Sequence, residues 1–321
     1  MRSVVIKPIA SAVVALSCLL PVAAPAQSVA VTSIVEHPSL DALKNGVKDA
    51  LGKAGYTEEK GLKWAFETAQ GNNAIAAQIA RKFIGDKPDV IVAIATPSAQ
   101  AVVAATKSIP VVYAAVTDPV EAQLVPALDA SGTNVTGVSD MLDLARQIEL
   151  IRQVVPEART VGMVYNPGEA NSAVVVRQLR ELLPTYGMTL AEVSAPRTVD
   201  VGAAARSLIG RADVIYTSTD NNVVSAYEAL VKVGNDADIP LVASDPDSVK
   251  RGAIAALGIN YYELGLQTGD MVIDVLKGKS PGEMPSQMGK TIELHVNLGA
   301  AARQGVTLSP ELVKSAANVI Q

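Results

Sequence analysis

Short polar stretches of this chain hold the side chains best suited to chemistry, and each follows an apolar run and precedes a helical one. In the first half they are Glu36-His37, Thr96-Pro97-Ser98 and Thr117-Asp118-Pro119. In the second half they are the loop from Asn166 to Ser172, which contains Glu169 and Asn171, then Thr219-Asp220-Asn221 and Ser244-Asp245. Hydroxyls and amides at helix starts lie beside free backbone N–H groups and the positive end of the helix dipole, which favour an anion such as a carboxylate. The acids Glu36, Asp118, Glu169, Asp220 and Asp245 suit an ammonium group. No Arg or Lys occurs in these loops. A phosphate, sulfate or dicarboxylate usually recruits one, so a zwitterion fits the inventory best.

Most of these residues have an ordinary structural reading as well. Thr96 before Pro97 makes a good N-cap with proline at N1. Asp118-Pro119 and Asp245-Pro246 are common turn formers, and His37 can bond within its own loop. Asp220-Asn221 exceeds what a cap requires, because a cap needs one such residue. His295 lies in a late strand and reads as structural, as do Tyr113, Tyr165 and Tyr216 at or near strand ends. Catalysis has less support. The chain has two histidines, one cysteine (Cys18) and no G-x-S-x-G, P-loop or dinucleotide fingerprint. The acids show no metal-ligand spacing, so neither a metal nor a cofactor is expected. The enzyme alternative is a cleft hydrolase with paired carboxylates, in which Asp118, Glu169 and Asp220 converge.

The elements that position these loops are written twice. Pro88-Asp89-Val90-Ile91 and the run Val92 to Ala95 lead to Thr96, a helical segment Ser98 to Lys107, then Ile109-Pro110 and a strand closing at Asp118-Pro119. Ala212-Asp213-Val214-Ile215 likewise leads to Thr219-Asp220, a helical segment Asn221 to Val233, then Ile239-Pro240 and a strand closing at Asp245-Pro246. Upstream of the first copy, the pattern predicts a strand over Val29–Val35, a helix from Ser39 as N-cap to about Ala54, a strand over Leu62–Thr68 and a helix over Asn72–Phe83. A strand over Asn134–Val138 and a helix over Asp143–Val155 lead to the second half. That half restarts with strands over Val161–Tyr165 and Thr189–Ser194 and helices over Ala173–Leu183 and Val201–Ile209. A strand over Gly252–Ile259, a helix from Asn260 to about Leu276, a loop over Lys279–Gly289, a strand over Thr291–Val296 and a short helical tail complete it. Apolar strands alternating with helices predict an α/β fold of two similar lobes, each a parallel sheet with helices on both faces. Two lobes imply a cleft, and ligands of open parallel sheets bind at the carboxyl ends of strands.

Arg2 and Lys7, the apolar run Ile9–Leu20 and Ala24-Pro25-Ala26 read as a signal peptide over residues 1–26. The expected mature protein is exported, periplasmic and free of membrane spans. The three residues before Cys18 lack the leucine of a lipoprotein signal, which argues against lipid anchoring there. Removal of Arg2 and Lys7 takes the formal charge from −5 to −7, which argues against nucleic acid as a partner.

The full set of motifs resembles the type I periplasmic-binding-protein superfamily. It is most similar to the ABC-importer substrate-binding family whose characterised members bind tryptophan, tyrosine or phenylalanine. The carriers are Val35-Glu36-His37-Pro38, Ala95-Thr96-Pro97-Ser98-Ala99-Gln100, Val116-Thr117-Asp118-Pro119-Val120, Gly137-Val138-Ser139-Asp140, Tyr165-Asn166-Pro167 through Ser172, Thr219-Asp220-Asn221 and Gly258-Ile259-Asn260-Tyr261-Tyr262-Glu263-Leu264-Gly265. The resemblance implies three interlobe crossovers, hinge closure over an amino-acid-like ligand, and delivery to a membrane permease driven by an ATPase. The expected division is 27–140 plus about 260–290 for the first lobe and 141–259 plus about 291–321 for the second, in a monomer. An exported sensor feeding a membrane receptor is the competing class, since the same fold serves both.

Overall fold

The repeated β-α-β pattern becomes two doubly wound sheets in a computed structural model that describes residues 27–321. Cys18 and the expected signal peptide lie outside the described residues. The first sheet is built from β1 (Ser28–Ser33), β2 (Lys63–Thr68), β3 (Val90–Ile94), β4 (Val111–Val116) and β5 (Val135–Ser139). Helices α1 (Pro38–Lys53), α2 (Asn73–Asp86) and α3 (Thr96–Ala105) alternate with the first four strands. The strand order is β2-β1-β3-β4-β5, parallel throughout. Strands β3 and β4 are buried along their whole length, as apolar strands covered on both faces must be.

The second lobe opens with α4 (Leu144–Val154), whose start is capped by Asp143. Its strands are β6 (Thr160–Tyr165), β7 (Thr189–Ser194), β8 (Val214–Thr217), β9 (Leu241–Ala243) and β10 (Ala255–Ile259). Between them run α5 (Ala170–Leu182), α6 (Val201–Arg206), α7 (Asn221–Ser225), α8 (Tyr227–Ala237) and α9 (Pro246–Arg251). The order β7-β6-β8-β9-β10 repeats that of the first sheet. Alternation along the strands splits the core between the two faces. Val214 and Tyr216 of β8 join Ile148, Met163 and Leu179 on one side, while Ile215 joins Val201, Leu208 and Leu230 on the other.

Helix α10 (Tyr261–Leu276) returns to the first lobe and lies along α1. Glycines permit the close approach. A Cβ on Gly46 would fall 2.3 Å from the Tyr262 carbonyl oxygen, and one on Gly265 would fall 2.1 Å from that of Leu43. The chain then adds β11 (Gln287–Met288) beside β5 and β12 (Ile292–Asn297) antiparallel to β10. It ends with α11 (Leu298–Arg303), α12 (Pro310–Ser315) and β13 (Asn318–Ile320), which pairs with β12. Among the described residues it therefore crosses between the sheets three times: after Ser139, at Asn260 and over 289–291.

The sequence pattern and the structure differ at specific points. The helix expected over Asn221–Val233 is two helices. The Ser225 hydroxyl bonds back to the Asn221 carbonyl at 2.6 Å, competing with the ladder where the chain leaves helical geometry at Ala226. The expected loop over Lys279–Gly289 contains β11, and the tail contains β13. Both strands are too short to show a period of their own and exist by pairing to an edge. Helix α1 has His37, not Ser39, as its N-cap, because Pro38 takes the first helical position.

Candidate functional site

The carboxyl ends of the two sheets face each other across a cavity of about 330 Å³ of non-atom space, part of it open to solvent. His37, Ser39, Leu40, Ala95, Thr96, Ala115, Thr117, Asp140 and Tyr261 line it from the first lobe, and Asn171, Thr219, Asn221, Val224 and Asp245 from the second. A further space of about 320 Å³ adjoins it along Thr117, Asp140 and Thr219 and extends past Met141, Val175 and Tyr216.

In the first-lobe wall, α1 and α3 both begin without a side-chain cap. Their first N–H groups are thus left for something else, which is the condition for anion binding at a helix start. The N-cap of α3 is Ala95 rather than Thr96, and its φ of +69° with ψ of 154° falls in a region held almost only by glycine. Such a conformation costs on the order of 1–3 kcal/mol and is found where function fixes the backbone. Ala115, φ +53°, sits where β4 shifts register against β5. Both strained residues line the cavity. The Thr96 hydroxyl, His37 Nδ1 and Asn171 Oδ1 are buried and have no hydrogen-bond partner among the described residues. Burial lowers the His37 pKa to about 4, against the pull of nearby Asp245, so the ring is neutral at ordinary pH.

The second-lobe wall is built differently, because its own carboxylates cap the starts of α7 and α9. Asp220 accepts from the Val223 N–H at 3.0 Å, the Asn166 N–H at 2.6 Å and the Ser172 hydroxyl at 2.7 Å. Glu169 accepts from the Asn221 side-chain amide at 2.6 Å, its backbone N–H at 3.2 Å, and the side-chain amides of Asn171 at 3.1 Å and Asn166 at 3.3 Å. Burial raises both carboxyl pKa values, and the charge of Asp220 helps take Glu169 to about 7. Asp245 caps α9 through the Ser248 N–H at 2.9 Å, binds the Ser248 hydroxyl at 2.6 Å and accepts from Ser39 of the other lobe at 3.0 Å. The Thr117 and Thr219 hydroxyls also meet across the lobes at 3.3 Å, and Glu121 pairs with Arg177 at 3.3 Å.

Of the residues singled out in the sequence, His37, Thr96, Thr117, Asn171, Thr219, Asn221 and Asp245 come together around the cavity. Ser172, Glu169 and Asp220 form the layer behind it, where the carboxylates bind donors of each other's loops and Ser172 donates to Asp220. Pro97 and Ser98 are buried in the first turn of α3. Asn166 is half-exposed, and its side-chain carbonyl accepts from the Gly168 N–H at 2.9 Å. Glu36 is exposed, 3.9 Å from Lys44. Asp118 closes a turn by accepting from the N–H groups of Val120 and Glu121. The acids proposed for a hydrolase therefore do not line the cavity as a set. Ser39, Leu40, Ala95, Ala115, Asp140, Val224 and Tyr261 line it without having been expected as ligand residues, although Ala95, Asp140 and Tyr261 lie in motifs that carry the family resemblance. Asp140 and Tyr261 follow strand ends like the rest, but the chain leaves the lobe at those points instead of entering a helix of the same lobe. Among the described residues, no group of three or more His, Cys, Asp or Glu is placed to hold a metal, and no helix is long and apolar enough to cross a membrane.

Two repeated, doubly wound lobes joined by three crossovers around a buried polar cavity define a solute-binding protein of the type I periplasmic-binding fold. The family described as ABC transporter substrate binding protein matches residues 28–320, and the chain belongs to it. It is 41% identical over 271 residues to a tyrosine-binding protein of Clostridioides difficile (strain R20291), covering 84% of this chain and 79% of the relative. It is 32% identical to the ABC domain from Streptococcus pneumonia in complex with L-Trp, with a TM-score of 0.88 over 92% of this chain and 99% of that one. A ligand-free, open substrate-binding protein with adhesive properties from Clostridium difficile is 37% identical at the same coverage, yet its TM-score is 0.69. In this structure the lobes are joined directly across the cleft, by Ser39 to Asp245 and by Thr117 to Thr219.

Proposed function

We propose that this protein is the extracytoplasmic receptor of an ABC importer and binds an aromatic or other large neutral amino acid as its zwitterion. The observation that carries this reading is the polarity of the cavity. Uncapped starts of α1 and α3 with the unpartnered Thr96 hydroxyl suit a carboxylate, while the acids Asp140 and Asp245 line the cavity with no Lys or Arg among the described lining residues. Leu40, Ala115, Val224 and the Tyr261 ring supply apolar wall for a side chain. The tyrosine-binding relative and the tryptophan complex support the same ligand class.

In this reading residues 1–26 direct export, and the two lobes close as bodies about the crossovers. The closed monomer presents its ligand to a membrane permease, with no chemistry on the ligand. A thermal-shift screen of refolded, ligand-stripped protein tests it. A ligand at 100 times its dissociation constant adds about 2.7 kcal/mol of stability. Shifts confined to tyrosine, tryptophan, phenylalanine and other large neutral amino acids are expected. Shifts with sugars or dicarboxylates alone contradict the proposal.

A further inference from the structure

The acids around the cavity differ in how fully their oxygens are used. A carboxylate offers about four acceptor positions. Glu169 receives four hydrogen bonds, and Asp220 and Asp245 receive three each, all including backbone N–H groups: Glu169 and Asp220 tie their two loops to each other, and Asp245 closes the start of α9. Asp140 is different. Its partners are two hydroxyls, Thr117 at 3.1 Å on one oxygen and Tyr261 at 2.7 Å on the other, and both of those residues also line the cavity. It is 4% exposed, and no cation pairs with it among the described residues. An ionised carboxylate in such a place is stabilised chiefly by a positive charge brought to it. The neutral ring of His37 does not supply one.

We propose that Asp140 receives the ammonium group of the ligand, positioned for it by Tyr261 and Thr117. The proposal rests on the zwitterion reading above and assigns the ammonium end to the first lobe. The carboxylate end falls in the same lobe, at Thr96 and the start of α3. Asp140 follows β5 and Thr96 follows β3, with β4 and Ala115 between them. Two strand spacings are about 10 Å. An α-amino acid head with a hydrogen bond of about 3 Å at each end spans that gap. One lobe can therefore read both charges before the other lobe closes.

The location also links occupancy to the hinge. Asp140 lies on the first crossover, and Tyr261 follows the second at the head of α10. Gly289 N–H donates to the Ser139 carbonyl at 2.8 Å, and Asn260 N–H to that of Thr291 at 2.9 Å, so the third crossover is tied to the other two. Thr117 continues from Asp140 to Thr219 of the second lobe. An ammonium held at Asp140 thus braces the bonds about which the lobes turn.

The test is calorimetric titration of the wild type and Asp140→Asn with L-tyrosine and L-tryptophan, and with their desamino counterparts 3-(4-hydroxyphenyl)propionate and indole-3-propionate. The variant is expected to bind the amino acids at least about 10-fold more weakly. The wild-type preference for amino acid over desamino acid is expected to collapse. A folded variant that keeps that preference unchanged overturns the assignment while leaving the zwitterion reading intact. A wild type that binds no amino acid overturns both. If Asp140→Asn does not fold, Tyr261→Phe decides the matter: an amino acid preference reduced several-fold supports the assignment, and an unchanged one overturns it.

Discussion

At the scale of single residues, the second-lobe wall opposes ionisation of Glu169 and Asp220. Glu169 has a folded pKa of about 7 against an ordinary 4.5, so between those values the folded state holds the proton more tightly than the unfolded chain. Its contribution to stability is full below about pH 4.5 and is lost as pH rises through about 7. Chemical denaturation of wild type and Glu169→Gln at pH 5 and pH 8 checks this, and the fall in stability toward pH 8 should shrink in the variant. His37 works in the opposite direction, since its lowered pKa favours the fold above about 6.5 and ceases to as pH falls toward 4. Thr96→Val removes a hydroxyl without a protein partner. It should weaken amino acid binding by about 3- to 10-fold with the melting temperature of the unliganded protein nearly unchanged. Asp220→Ala should do the reverse, lowering unliganded stability by about 2 kcal/mol or more through the lost cap and loop bonds. Sequence reasoning found Asp220 and Asn221 together because a cap needs only one of them. It did not tell which of the two faced the cavity, since a helix cap and a ligand contact call for the same residue types. Asn221 lines the cavity, and Asp220 makes the cap.

At the scale of elements, site geometry depends on how closely α1 and α10 lie. His37, Ser39 and Leu40 stand at the head of α1 and Tyr261 at the head of α10, so the contact at Gly46 and Gly265 sets their separation. Gly265→Ala places a methyl against the Leu43 carbonyl, which backbone cannot yield cheaply. The expected cost is about 1–3 kcal/mol in urea denaturation, with weaker amino acid binding as α10 is displaced. Stability and affinity both unchanged would mean that the helices have room to part. The alternation of apolar strands and helices made most elements legible, because burial on both faces leaves a continuous apolar run. Helix starts were less so. The structure places the beginning of α3 at Thr96, after a backbone conformation at Ala95 that no residue pattern announces.

At the scale of the whole molecule, the two copies of one β-α-β unit in the sequence correspond to two sheets of the same strand order. That repeat made the cleft legible before any contact was known. The crossovers were not legible from spacing, because Asp140 and Asn260 end strands in the same way as residues that stay within a lobe. The bond between Ser39 and Asp245 spans the cleft while the lobes are together. Ser39→Ala should therefore loosen the closed state, and stopped-flow displacement should show ligand leaving several-fold faster. Titration calorimetry on the ligand-stripped wild type tests zwitterion recognition most directly. The titrants are L-tyrosine, tyramine, which lacks the carboxylate, and 3-(4-hydroxyphenyl)propionate, which lacks the amine, with the corresponding tryptophan series alongside. Amino acids should bind at least about 10-fold more tightly than either one-charged analogue. A tyramine or propionate that binds as tightly as its parent amino acid would contradict a site built for both charges.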